Sequence, residues 1–215
     1  GGLMYLSLCT RPDVTFAVNL LARFISCPKA AHWRGALRVL QYLRDTSDFG
    51  VYYCESKSIE IVAFSDADYA GDLATRRSTS GYIMMSCGGP VSWQSKRQPT
   101  VALSTTEAEY QAMTASSREC VWLQLLFSEM GAPTPTVTMY GDNESAICWT
   151  KEHRIDARAK HVDVQHHYIR ELVEDGRILI EYIPTADQLA DPLTKSLTVA
   201  VFEKHFAGWG LRRPL

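Results

Sequence analysis

Four acidic residues lie in four separate short motifs, in the order Asp, Glu, Asp, Asp. They are Asp66 in FSDADYAGD, Glu109 in LSTTEAEYQAM, Asp142 in MYGDNESA and Asp191 in TADQLADPLTK. Carboxylates that are brought together repel and raise one another's pKa values unless a cation shares the site. Oxygen ligands favour Mg²⁺ or Mn²⁺ over zinc, and a pair of such ions is a common means of cutting phosphodiesters. The four acids therefore predict a metal centre if the fold brings them together.

Asp66 ends an apolar strand pattern. Val62, Phe64 and Asp66 share one strand face by period-two counting, so buried residues lead directly to a carboxylate. That arrangement favours a functional role for Asp66. The alternative is an acid of the following turn, a role that suits Asp68 and Asp72 better.

Two glutamates stand at the start of a long predicted helix that runs from about residue 104 to 130. Ser104 and Glu107 fit a capping box, with Ser104 as N-cap and Glu107 at N3, so Glu107 is predicted to be structural. Glu109 shares its stripe with small and apolar residues suited to packing on a sheet. An acid on that stripe requires a reason, so Glu109 is the predicted catalytic glutamate.

The last two aspartates each have a structural alternative. Asp142 follows a strand and opens a helix, where open α/β sheets bind ligands. A simple N-cap role for Asp142 or Asn143 is the alternative. Asp191 precedes Pro192, as at a capped helix start, and Asp187 competes with it. Spacing alone leaves the identity of the fourth acid open.

Several polar residues are candidates for contacting nucleic acid. Two basic clusters could bind phosphates, although a solvated hairpin edge is an equal alternative on composition. Polar groups near the acids could read a ribose 2′-hydroxyl, which distinguishes RNA from DNA. The predicted phosphate contacts are Arg76, Arg77, Lys96 and Arg97, and the predicted hydroxyl readers are Gln111, Asn143 and Ser145.

Histidines and cysteines do not predict a further metal site. His161, His166 and His167 lack the HExxH pattern and are predicted to lie at the surface or the substrate edge. The six cysteines are scattered without a CxxC pair, which indicates neither a zinc site nor a disulfide framework. Reduced thiols suit an intracellular compartment.

Composition is that of an ordinary soluble globular protein, with 46% hydrophobic and 21% charged residues among 215. The net charge of −2 shows no global basic signature, so any nucleic-acid binding must use local patches. We find no apolar run of transmembrane length and no signal peptide. The chain opens Gly-Gly rather than with Met, and we expect it to be a piece of a longer protein.

The elements that must position the acids change in character along the chain. Residues 1–55 have mainly helical periodicity, with a short strand at 51–54 near the end of this segment. Three strands, a long helix and then alternating strands and helices follow, which predicts an α/β domain with a mixed sheet. The expected divisions are a helical segment at 1–55, the α/β domain at 56–197 and a helical tail at 198–215.

Together the motifs resemble the ribonuclease H region of a copia-type LTR retrotransposon polyprotein. The resemblance rests on SDADYAGD, RRSTSGY, SWQSKRQ, ALSTTEAEY, DNESAI, KHVDVQHHYIRE and QLADPLTK, in the family's order. The segments TRPDVTFAVNLLARF and HWRGALRVLQYLRDT resemble the connection between reverse transcriptase and ribonuclease H. The resemblance spans nearly the whole chain, and seven ordered motifs are too many for a chance match.

The resemblance implies a ribonuclease H-like fold, with a five-stranded mixed sheet flanked by helices and an N-terminal helical extension. It implies that Asp66, Glu109, Asp142 and Asp191 hold two Mg²⁺ ions, for which Mn²⁺ can substitute. It also supports Glu109 over Glu107, and Asp191 as the fourth acid. No histidine lies between Ile183 and Asp191, so no proton-shuttling histidine is assigned.

The implied activity is cleavage of the RNA strand of RNA–DNA hybrids during reverse transcription. The implied partners are the hybrid and the reverse transcriptase portion of the same polyprotein, in cytoplasmic virus-like particles. Because the paired-Asp motif of reverse transcriptases is absent, the chain is not expected to polymerise DNA.

Two other functions stay open on the sequence. A DDE integrase or transposase shares the fold, but its glutamate comes last, whereas the glutamate here is second. A host-captured, catalytically silent module that only binds nucleic acid is the second alternative. The presence of all four acids argues for a competent site.

Overall fold

A five-stranded mixed sheet, covered by helices on both faces, forms the centre of the structure. This computed structural model describes residues 1–55, 60–132, 136–151 and 163–213, with side chains from residue 167 onward in the last range. The helices are α1 (Gly2–Cys9), α2 (Thr15–Ala22), α3 (Ala30–Asp45), α4 (Thr105–Glu129), α5 (Glu144–Lys151), α6 (Asp163–Glu174) and α7 (Val199–Gly208). The strands are β1 (Gly50–Val51), β2 (Val62–Ala67), β3 (Thr79–Ser86), β4 (Gly89–Arg97), β5 (Val137–Gly141), β6 (Ile178–Tyr182) and β7 (Leu211–Arg212).

The strand order of the sheet is β4-β3-β2-β5-β6. β2, β5 and β6 are parallel, whereas β3 is antiparallel to both β2 and β4. Residues Cys87 and Gly88 make the β3–β4 turn, both with positive φ, as a tight hairpin turn requires. This arrangement confirms the predicted α/β class, the five-stranded mixed sheet and the ribonuclease H-like fold.

The two faces of the sheet pack against different parts of the chain. One face is covered by α4, α5 and α6 around buried residues such as Tyr110, Met113 and Met139. The other face is covered by the C-terminal segment, with Leu193 and Trp209 fully buried against it. The strand face that leads to Asp66 belongs to this second core, as period-two counting predicts.

The first three helices form a core of their own around Val14, Val18 and Val39. Within the predicted helical segment at 1–55, a 3₁₀ turn at Pro12–Val14 precedes α2. The strand predicted at 51–54 is limited to β1, which pairs with β7. The C-terminal tail is therefore a helix followed by a short strand that returns to the N-terminal segment.

No helix in the described part of the chain is long and apolar enough to cross a membrane.

Candidate metal centre

Three of the four predicted acids converge at one edge of the central sheet. Asp66 lies near the end of β2, and Asp142 follows β5, its parallel neighbour. Because parallel strands end at the same edge, the two carboxylates meet there. Glu109 projects from the second turn of α4, and one oxygen of each of the three lies within 4.8 Å of the others. Asp66 and Glu109 are buried, whereas Asp142 is half-buried.

The electrostatics of this acidic cluster (Asp66, Glu109 and Asp142) favour a cation. Burial raises the pKa of Glu109 to about 9, with further contributions from the charges of Asp66 and Asp142. Burial likewise raises the pKa of Asp66 to about 6, although the charge of Lys195 opposes the shift. Both shifts express the cost of holding neighbouring carboxylates away from water.

A divalent cation fits the donor set of the cluster. The carboxylate of Glu109 accepts a hydrogen bond from the backbone N–H of Ala67. Its Oε2 atom, however, is buried and has no hydrogen-bond partner among the described residues. A buried, partnerless carboxylate oxygen beside two other carboxylates is what an oxygen-liganded ion such as Mg²⁺ or Mn²⁺ would satisfy.

Asp142 does not cap the helix that follows it. Asn143 has that role, since its Oδ1 accepts a hydrogen bond of 2.9 Å from the backbone N–H of Ala146. Asp142 Oδ2 instead accepts a hydrogen bond of 2.7 Å from the hydroxyl of Thr185. Asn143 is therefore the N-cap, and the carboxylate of Asp142 belongs to the acidic cluster.

Asp191 lies beside the cluster rather than within it. It begins a 3₁₀ turn that ends at Leu193, without a side-chain capping bond, so the capping alternative is not observed. Its Oδ1 lies 2.9 Å from Lys195 Nζ, which also lies 3.7 Å from Asp66 Oδ2. Its competitor Asp187 is on the surface, where it pairs with Lys204 at 2.9 Å.

A glycine in β3 allows the C-terminal segment to reach the cluster. Gly81 lies opposite Asp66 in the sheet register. A Cβ at Gly81 would lie 2.7 Å from Thr194 Cγ2 and 2.8 Å from Leu193 Cβ, so a larger residue would displace this segment. The close packing lets the hydroxyl of Thr194 donate a hydrogen bond to Asp66 Oδ2.

Four residues that support the acids were not predicted from the sequence. Lys195 bridges Asp66 and Asp191, and Thr194 and Thr185 hold carboxylates by hydrogen bonds. Gln188 donates from Nε2 to the backbone oxygen of Ser65 at 3.0 Å, which ties the segment to β2. Gln188, Thr194 and Lys195 belong to the QLADPLTK motif. That motif is the feature of the sequence from which their supporting role could have been predicted.

Both the backbone and the side chain of Glu107 form hydrogen bonds at the start of α4. Its backbone N–H donates to Ser104 Oγ at 3.1 Å, as an N-cap requires. Its Oε2 accepts a hydrogen bond of 2.9 Å from the N–H of Leu103, whereas a regular capping box would use the N–H of Ser104. Its Oε1 accepts from Gln111 Nε2 at 3.2 Å. These contacts are those of a structural glutamate.

The residues predicted to contact nucleic acid differ in solvent exposure and in whether they already have a partner within the chain. Lys96, Arg76 and Ser145 are exposed, and Arg77 is half-buried. Arg97 instead forms an ion pair of 2.7 Å with Asp72. Gln111 and Asn143 have the hydrogen bonds to Glu107 and Ala146 described above, and nucleic-acid contact remains a prediction for all seven residues.

None of the histidines in the described part of the chain belongs to the acidic cluster. His167 is exposed and lies 3.0 Å from the guanidinium of Arg170. His161 and the side chain of His166 lie outside the described residues.

Comparison with known proteins supplies relatives along most of the chain, although no protein-family model matches it. The Retrovirus-related Pol polyprotein from transposon TNT 1-94 of Nicotiana tabacum is 43% identical over 94% of this chain. The corresponding polyprotein from transposon RE2 of Arabidopsis thaliana is 39% identical over 94% of the chain. The chain spans only 15% and 14% of the lengths of these two relatives.

A shorter relative and a solved structure add to this comparison. Secreted RxLR effector protein 161 of Plasmopara viticola is 49% identical over 57% of this chain and 87% of its own length. The N-terminal RNase H domain of Rv2228c from Mycobacterium tuberculosis has a TM-score of 0.49 and 15% identity, covering 69% of this chain and 96% of that chain. The polyprotein relatives match nearly the whole chain. The chain therefore belongs to the family of retrovirus-related Pol polyproteins of copia-type transposons, of which it contains the region with the ribonuclease H-like fold.

Proposed function

We propose that this chain is a metal-dependent endoribonuclease that cuts the RNA strand of RNA–DNA hybrids during retrotransposon reverse transcription. The convergence of Asp66, Glu109 and Asp142 carries the proposal, because these oxygens come within 4.8 Å of one another. The partnerless Oε2 of Glu109 supports a bound cation there. Membership of a Pol polyprotein family supports nucleic acid as the substrate.

The chain's own residues would hold the ions in two groups that share Asp66. Asp66 belongs to the acidic cluster, and its Oδ2 also lies 3.7 Å from Nζ of Lys195, which pairs with Asp191. We therefore assign Glu109 and Asp142 to one Mg²⁺ ion, Asp191 to the other, and Asp66 to both. When bound, the two ions would supply an activated water and stabilise the leaving 3′ oxygen.

Hydrogen bonds to the carboxylates would keep them in position for this role. Thr194 donates to Asp66, Thr185 donates to Asp142, and the N–H of Ala67 donates to Glu109. Such outer contacts orient metal ligands and reduce the freedom that binding must remove. The site is thus arranged before any substrate arrives.

The test of this function is a cleavage assay on a labelled RNA–DNA hybrid and on duplex DNA of the same sequence, at fixed salt. We expect Mg²⁺-dependent cutting of the RNA strand only, because recognition of the 2′-hydroxyl requires ribose. Mn²⁺ should substitute, whereas Ca²⁺ should bind but support little cleavage because its coordination is looser. The Glu109→Gln variant, purified identically, controls for contaminating nuclease.

Three outcomes would contradict the proposal. Equal cutting of duplex DNA would favour a DNA-processing enzyme. Full activity in excess chelator would exclude a metal mechanism. Tight hybrid binding with cleavage no greater than that of the Glu109→Gln variant would indicate a catalytically silent binding module.

A second experiment tests the phosphate contacts. Lys96 is exposed, so Lys96→Ala should weaken binding of all hybrid sequences alike and reduce the slope of log affinity against log salt by about one unit. Arg97 is a poorer choice, because its loss would also remove one of the two arginine partners of Asp72, the other being Arg23. Lys29→Ala, at an exposed lysine outside both basic clusters, is the control. A sequence-dependent loss, or an unchanged salt slope, would remove Lys96 from the interface.

The proposal extends to the surroundings of the chain. In the relatives the matched region is a small part of a Pol polyprotein, which supports the reverse transcriptase portion as a partner. We propose a cytoplasmic, virus-like-particle setting on the same ground. Co-purification of this chain with a separately tagged reverse transcriptase portion would test the partnership, and failure to associate at micromolar concentrations would oppose it.

A further inference from the structure

Lys195 is a cation placed at the acids themselves. Its Nζ lies 2.9 Å from Asp191 Oδ1 and 3.7 Å from Asp66 Oδ2. The side chains of these two aspartates are 8% and 3% exposed, whereas that of Lys195 is 38% exposed. The ammonium therefore approaches two buried carboxylates from the solvent side.

The local backbone directs Lys195 to this position. Asp191 and Lys195 are four residues apart, and the backbone N–H of Lys195 donates to the carbonyl of Asp191 at 3.2 Å. This helical turn places the two side chains on one face. Because Leu193 and Thr194 pack on Gly81, the turn is held against β3 and cannot readily shift.

The four acids consequently form two overlapping groups that share Asp66. Asp66, Glu109 and Asp142 form the acidic cluster, in which Glu109 Oε2 has no partner among the described residues. Asp66 and Asp191 form a second group, which already contains a positive charge. One group needs a cation, and the other has a substitute for one.

We infer that Lys195 is a built-in counter-ion that compensates Asp66 and Asp191 in the metal-free chain and competes with the divalent ion proposed for that pair. The inference rests on the proposed metal-dependent function. The acidic cluster would accept its ion first, and the second ion would bind only as the ammonium withdraws. The flexible stem and partial exposure of Lys195 allow that withdrawal.

The experiment is a calorimetric titration with Mn²⁺ of the complete chain, without nucleic acid, in wild type, Lys195→Met and Lys195→Arg. The wild type should show one tighter and one weaker site. Lys195→Met keeps the apolar stem but removes the charge, so the weaker site should tighten by about tenfold or more. Lys195→Arg keeps the charge and should leave the weaker site weak.

Thermal unfolding in chelator provides a readout that does not depend on activity. Lys195→Met should melt at a lower temperature than wild type above pH 7, because two carboxylates lose their counter-ion. Saturating Mn²⁺ should abolish this difference in melting temperature. Unchanged Mn²⁺ affinities, or equal melting of the metal-free proteins, would overturn the inference. Should Lys195→Met not fold, Lys195→Gln is subjected to the same titration.

These outcomes separate the inference from the function on which it rests. A wild-type chain that binds two Mn²⁺ ions but does not cut hybrids would refute the nuclease and leave the role of Lys195 standing. A wild-type chain that cuts hybrids, with Lys195→Met unaltered in Mn²⁺ affinity, would refute the role of Lys195 alone.

Discussion

The Glu109→Gln variant should lose cleavage of RNA–DNA hybrids by on the order of a thousandfold or more, because it removes a charged ligand from the proposed metal centre. Folding should survive. Glutamine has nearly the same shape, and its amide oxygen can still accept the hydrogen bond from Ala67. Above the raised pKa of Glu109, which is about 9 in the metal-free protein, removal of its negative charge should also relieve repulsion with Asp66 and Asp142.

Glu107→Gln is the matched control, since it makes the same chemical change two residues earlier in the same helix. The amide oxygen of glutamine can replace the carboxylate oxygen that accepts from Leu103. We expect activity to be largely retained and stability to fall by at most about 1 kcal/mol. Single-turnover cleavage rates and urea unfolding of both variants provide the comparison. Loss of cleavage in the Glu107 variant, with activity kept in the Glu109 variant, would reverse the assignment.

In excess chelator, the free energy of unfolding should fall as the pH rises from about 4.5 towards about 9. The folded chain raises the pKa of Glu109 from 4.5 to about 9 and that of Asp66 from 3.8 to about 6. Over this range the folded state binds more protons than the unfolded state, so stability decreases with increasing pH. Stability is greatest below the unfolded pKa values, and the total loss should be on the order of several kcal/mol.

Saturating Mg²⁺ should flatten this pH dependence, because the ion favours the deprotonated carboxylates of the folded chain. Urea unfolding at a series of pH values, with and without Mg²⁺, measures both effects. Glu109→Gln is the control, since it should remove the part of the slope that lies above about pH 6. Equal slopes for wild type and Glu109→Gln in chelator would show that Glu109 is not the titrating group. An unchanged slope in Mg²⁺ would argue against metal binding at these acids.

Local patterns in the sequence were sufficient to predict most of the elements. Period-two alternation identified β2 and the strand face that Phe64 and Asp66 share, and the cap at Ser104 placed the start of α4 correctly. The same periodicity separated the two glutamates, because residues 107 and 109 point in different directions on a helix. These features depend only on neighbours within one turn or one strand, which the sequence displays directly.

The set of residues at the candidate metal centre depends on contacts between distant parts of the chain. Thr194 and Asp66 are 128 positions apart, and no local period relates them. Spacing also left open whether Asp142 or Asn143 caps α5, and whether Asp187 or Asp191 is the fourth acid. The structure shows that Asn143 caps α5, and that Asp191 lies beside the acidic cluster whereas Asp187 pairs with Lys204 at the surface. The packing of Leu193 on Gly81, which lies opposite Asp66 in the sheet register, positions the segment that carries Asp191.

The basic residues show the same limit. The sequence identifies Arg97 as a cation beside Lys96, but only the folded loop brings Asp72 within 2.7 Å of it. Likewise, the sequence shows Lys195 only as a positive charge in a motif. The packing of the C-terminal segment across the sheet is what brings Lys195 near Asp66. Charge is a property of the residue, whereas the partner that neutralises it is set by tertiary packing, since Coulomb interactions act through space and not along the chain.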